Sequence, residues 1–136
     1  MIDRLLSRPP ALLAQAGRTR TLEPRRLFSL NAAAGEVTFA DLPAKWRFEE
    51  LVAYDASATP VAATVGLFTA TGGGGTTLVA ATTLPTLTAP AKMVSLAPAA
   101  IATTDYQTAN TVFLRNVAAQ GSALTVSFAL TIRDLT

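Results

Sequence analysis

From Leu27 onward the chain alternates apolar and polar residues at a period of two. The cleanest run is the last: Leu124, Val126, Phe128, Leu130 and Ile132 alternate with Thr125, Ser127, Ala129, Thr131 and Arg133. One apolar and one polar face predict an antiparallel strand that covers a core on one side. Just before it, residues 111–117 are rich in β-branched and aromatic side chains. The turn Ala119-Gln120-Gly121-Ser122 joins the two runs, with Gly121 free to take a positive φ, and a hairpin is expected. Further strands are expected at 27–30, 37–39, 46–54, 61–68, 76–82 and 93–96. In 61–68, Val61, Ala63, Val65 and Leu67 form the inward series. Breaks fall at 31–35, at Asp41-Leu42-Pro43, at 55–60, at the glycine run 72–75 (read as a flexible connection), and at a loop with Pro85 and Pro90. Roughly seven or eight short strands with turns between them predict an all-β fold, an antiparallel β-sandwich. It is wound as a jelly roll or as an immunoglobulin-like Greek key, which the pattern alone does not separate. A length of 136 residues fits one such domain.

The first twenty-six residues follow another pattern. Residues 1–7 make at most one helical turn, ended by Pro9-Pro10, and 11–16 another, stopped by Gly17. Residues 19–26 read as extended and polar. This stretch holds six arginines, Arg4, Arg8, Arg18, Arg20, Arg25 and Arg26, against only Asp3 and Glu23. The division is therefore an extended basic N-terminal arm, 1–26, and a sandwich domain, 27–136. Such an arm cannot bury a core of its own, so it is expected to be ordered by a partner or not at all, and its deletion is expected to leave the sandwich folded. The body is nearly uncharged: between Ala56 and Thr104 the sole ionisable side chain is Lys92. Charged residues are 15% of the chain, below the roughly 25% usual in soluble domains, which points to a surface covered in an assembly. Arginines spread this thinly fit a protein face better than nucleic acid.

With no cysteine and no histidine, the chain has no disulfide, thiolate zinc site or imidazole base. No apolar run is long enough to span a membrane. Ala14-Gln15-Ala16 resembles a signal cleavage site, but its apolar stretch is too short. The Gly72–Gly75 run lacks the lysine and following helix of a phosphate loop. Glu49 and Glu50 are adjacent, so a regular strand sends them to opposite faces and they cannot act as an acid–base pair. Asp55 and Asp105 fall in loops without metal-ligand spacing. No cofactor, metal or catalytic role is assigned. Tyr106 is expected to tie a loop through its hydroxyl, with a glycan contact as the sharper alternative. Trp46 and Arg115 are candidate interface residues: a lone Trp closes a core or anchors an interface, and Arg115 shares a strand face with Phe113 and Val117.

Asp105-Tyr106-Gln107-Thr108-Ala109-Asn110-Thr111-Val112-Phe113-Leu114-Arg115, the turn Ala119-Gln120-Gly121 and the closing alternating strand resemble small β-sandwich virion proteins of tailed bacteriophages. Among these the chain resembles capsid cement (decoration) proteins, including the jelly-roll type of short-tailed Bordetella phages, over residues 45–136. The resemblance implies a homo-oligomeric virion structural protein on the capsid exterior, made in the bacterial host cytoplasm. It implies that the protein binds the major capsid protein and itself, as a dimer or trimer, without nucleic acid or membrane. The docking residues expected are Ile2, Arg4, Leu5, Leu6, Arg8, Leu12, Leu13, Arg18, Arg20, Arg25 and Arg26. Alternatives are a tail or fibre component and a carbohydrate-binding attachment module.

Overall fold

The computed structural model describes residues 18–22, 28–31, 33, 35–84, 93–99 and 105–136. Its strands are β1 (Arg18–Leu22), β2 (Phe28–Ser29), β3 (Glu36–Phe39), β4 (Trp46–Tyr54), β5 (Thr64–Ala70), β6 (Gly74–Thr83), β7 (Met93–Leu96), β8 (Val112–Ala118) and β9 (Thr125–Asp134). They form two antiparallel sheets stacked as a sandwich. The first has the order β1-β9-β4-β7, with β2 also on β9, and the second β3-β8-β5-β6. β1 meets the end of β9 (Arg18 opposite Asp134, Leu22 opposite Leu130), and β2 meets its beginning (Phe28 opposite Val126). Both lie along the edge of β9 that β4 leaves open.

Alternation in β9 does what the pattern predicts. Val126, Phe128, Leu130 and Ile132 are all fully buried. Val112 and Leu114 of β8 and Val65 and Leu67 of β5 face them from the opposite sheet. Each such side chain contributes about 1.5–3 kcal/mol on leaving water. Phe28 meets Phe128 edge-on, with ring centroids 6.2 Å apart. Trp46 and Phe48 close one end of the core.

Several expectations need correction. β8 and β9 are not a hairpin. β8 belongs to the second sheet and β9 to the first, so residues 119–124 cross the ~10 Å between sheets. Alternation specifies which face is buried, not whether the next strand lies beside it or opposite. Val61 is not inside; it is 75% exposed, and β5 begins only at Thr64. Its inward series is Ala63, Val65 and Leu67. The regular-strand parity assumed for Glu49 and Glu50 fails, because the β4–β9 register shifts between Phe48 and Glu50. Glu49 is the extra residue of a β-bulge. Phe48 and Leu51 therefore both point inward, and both glutamates lie on the outer face.

The glycine run is a folded tip rather than a loose connection. Thr71–Gly73 form one 3-10 turn between β5 and β6. Gly72, Gly73 and Gly75 have φ of 72°, 80° and 69°, values that side chains disfavour. A Cβ on Gly75 would lie 2.4 Å from Thr69 Oγ1. On the outer face, Gly66 makes room for Phe68: a Cβ there would come within 2.7 Å of the ring. Phe68 is thereby buried on the solvent side of its sheet, beneath the tip.

Candidate functional site

Of the expected docking residues, Ile2, Arg4, Leu5, Leu6, Arg8, Leu12, Leu13, Arg25 and Arg26 lie outside the described residues. Arg18 and Arg20 lie inside, and they change the picture of the arm. Its stretch Arg18–Leu22 pairs residue by residue with β9 of the same chain. The expectation that only a partner orders the arm does not hold for these five residues. Arg20 has a partner within the chain. Its guanidinium lies 3.8 Å from the Asp134 carboxylate, a buried group that also accepts from the Thr136 N–H at 2.9 Å and from its hydroxyl. Thr21 and Thr131 bring their hydroxyls to 3.2 Å across the same ladder. The basic arm is thus rooted in the first sheet as an edge strand.

Beside this root the outer face carries one charge cluster. Arg47 and Arg133 sit directly opposite each other on β4 and β9, an unfavourable like-charge pair by itself. The bulge places Glu49 against both: Arg133 Nε is 3.0 Å from Oε1, and Arg47 Nη2 is 3.5 Å from Oε2. Away from the cluster the face carries exposed Glu50 and otherwise uncharged side chains, with Val52, Tyr54, Ser127, Ala129 and Thr131 half-buried and Met93 69% exposed.

A second constellation lies on the outer face of the other sheet. Glu36 of β3 stands opposite Arg115 of β8, with Arg115 Nη1 3.4 Å from its Oε2. The Thr71 hydroxyl donates to Oε1 at 2.6 Å and the Gly72 N–H to Oε2 at 2.7 Å. Thr71 above all, then Gly72 and Arg115, hold the carboxyl below its ordinary range against the opposing effect of burial. Arg115, a candidate for a partner, therefore makes its ion pair within the chain.

Trp46, the other interface candidate, has no exposed surface. Its indole N–H donates to the Ala109 carbonyl at 2.8 Å, so it ties the 105–111 loop to the core and offers a partner nothing. Tyr106 is exposed, with Lys45 Nζ 4.3 Å from its ring centroid. Asp55 and Asp105 are exposed, and among the described residues no group of three or more carboxylates could hold a metal. No helix of the described residues is long and apolar enough to cross a membrane.

Sequence reasoning missed Gln120. Its side-chain oxygen accepts from three consecutive backbone N–H groups, those of Val61, Ala62 and Ala63, at 3.0, 3.1 and 3.2 Å. Its amide nitrogen donates to the Thr59 carbonyl at 3.3 Å. A lone Gln in a turn carries no spacing that would betray such a contact, made to residues some 60 positions away.

No protein-family model matches the chain, and no curated protein is significantly similar to it. Among solved structures, a chain of the cyanophage Pam1 capsid asymmetric unit is similar. It is 14% identical, with a TM-score of 0.38, over 87% of this chain and 86% of that one.

Proposed function

We propose that the chain is a virion structural protein of a tailed bacteriophage, a cement protein that grips the outside of the shell with its basic arm. The observation that carries the proposal is the rooting of Arg18–Leu22 as an edge strand on β9. A strap is useful only if tension on it reaches a rigid body, and here it enters a five-stranded sheet. Ahead of the root, Arg4 and Arg8 have the chemistry for forked pairing with shell carboxylates, and Leu5, Leu6, Leu12 and Leu13 for filling grooves. Between β1 and β2, Arg25 and Arg26 add two further cations. Many copies on a lattice convert modest contacts into firm attachment.

The strand order supports jelly-roll winding over the immunoglobulin-like alternative. Counting β1 and β2 as one interrupted strand, the sheets read 1-8-3-6 and 2-7-4-5. All links but the β5–β6 hairpin pass from one sheet to the other. The sparsely charged body supports a surface partly covered by neighbours, including a second copy about a local two-fold axis. No catalytic step is assigned.

The test is attachment. Purified virions carry the protein at a stoichiometry comparable with the capsid subunit; a handful of copies per particle would place it in the tail instead. In a shell-pelleting assay, a chain lacking residues 1–17 stays folded but fails to saturate shells. Full saturation by that truncated chain overturns the strap.

A further inference from the structure

We propose that the corner of the second sheet where β5 begins and β8 ends is a contact surface for a second copy of this chain, packed about a two-fold axis beside Val61. The inference gives a place to the second copy named above. It is tested on the free protein, so its failure leaves the arm and its grip on the shell untouched. Among the described residues four large apolar side chains are exposed, and two of them, Val61 (75%) and Val117 (41%), lie at this corner. Val61 precedes β5, and Val117 is the extra residue where the β5–β8 register shifts beside Thr64. Thr64 stands opposite Ala118 on one side and Thr83 on the other. Its hydroxyl lies 3.1 Å from that of Thr83 and 3.3 Å from the Ala62 carbonyl, to which it donates. The patch is held in shape before any contact forms, because Gln120 ties the Val61, Ala62 and Ala63 amides to the end of β8. A surface already fixed loses little freedom on association.

Charge selects the occupant. The sequence has no ionisable residue from 56 to 84 or from 116 to 132. Asp55, the closest along the chain, follows β4 on the other sheet. A two-fold axis sets each group near its own copy. Charges so placed repel, whereas methyl groups bury one another and a hydroxyl, both donor and acceptor, is its own complement. Glu36 and Arg115, further along this outer face, neutralise each other. The outer face of the first sheet is less suited, since it carries Arg47, Arg133 and exposed Glu50. A patch of this size makes a weak dimer, which a lattice that holds neighbours together strengthens.

The full chain, followed by sedimentation equilibrium up to about 1 mM, forms a reversible dimer. Val61→Asp and Val61→Lys each weaken it by about tenfold or more, through like charges set across the axis. Mixed in equal amounts the two variants associate again, because opposite charges then face each other. Val117→Lys weakens the dimer as well and gives an independent reading should a Val61 variant fail to fold. Glu50→Lys, on the outer face of the first sheet, leaves association unchanged. A chain that stays monomeric overturns the proposal, as does a folded Val61 variant that dimerises like the parent. So does a mixture that fails to re-associate, or a Glu50→Lys chain that loses the dimer.

Discussion

At the scale of single residues, the side chains that matter most for order are not those with conspicuous chemistry. Gln120 closes the 59–63 loop with one oxygen and three amide donors. That concave run of N–H groups would otherwise attract an anion. Gln120→Ala leaves the Ala63 amide, the most buried of the three, without its acceptor. We expect a loss of about 1–3 kcal/mol, read as a lower urea midpoint at unchanged m-value. No change would mean that water replaces the amide at no cost. Trp46 and Arg115 teach the converse. Both stand out in the sequence for scarcity, one as the sole Trp and the other as the lone charge in a strand. Both turn out to be satisfied inside the chain, Trp46 by the Ala109 carbonyl and Arg115 by Glu36. Scarcity marks a residue with a specific job, but a lone polar group is as readily matched by its own chain as by a partner.

At the scale of elements, alternation is legible wherever one face meets the core, as in β8 and β9. It misleads where the backbone departs from regular pleating. The bulge in β4 is written in the spacing, since Trp46 and Phe48 share one parity and Leu51 and Ala53 the other; only an extra residue puts all four inside. β1 is hidden for a different reason. Arg-Thr-Arg-Thr-Leu shows no alternating apolar pattern, and the described contacts that hold it are its backbone ladder, the Arg20–Asp134 ion pair and the Thr21–Thr131 hydroxyl contact. This divides the arm into two parts with different energetics. Removing residues 1–17 spares the ladder and should leave the urea midpoint unchanged. Removing residues 1–22 strips the edge of β9 and takes Arg20 from buried Asp134, at a cost of at least about 1 kcal/mol even after solvent screening. Because Arg18–Leu22 pair with β9, loss of the whole arm is expected to weaken the sandwich rather than leave it unchanged. Equal midpoints for the two truncations would show that β1 adds nothing.

At the scale of the whole molecule, the sheet membership of each strand is not legible in the sequence, because period two is the same for a strand beside its predecessor and one across the core. That membership has a mechanical consequence. β1 and β9 are antiparallel, with Arg18 opposite Asp134, so β1 begins at the end of the sandwich where β9 finishes. A pull between Thr19 and Thr136 opens the ladder from that end, one pair after another. A pull between Thr19 and Ser122, beyond the far end of β9, loads all the pairs together in shear, because ladder hydrogen bonds run perpendicular to the strands. On the proposed reading, a strap works only in the second geometry, where the arm is drawn one way and the body is held at its opposite end. The chain has no cysteine of its own, so Thr19→Cys with Thr136→Cys, and Thr19→Cys with Ser122→Cys, give clean handles for single-molecule pulling. The shear pair should resist a severalfold higher force than the unzipping pair. Equal forces would mean that β1 detaches before the ladder shares the load, and a strap rooted there could not transmit tension to the sheet.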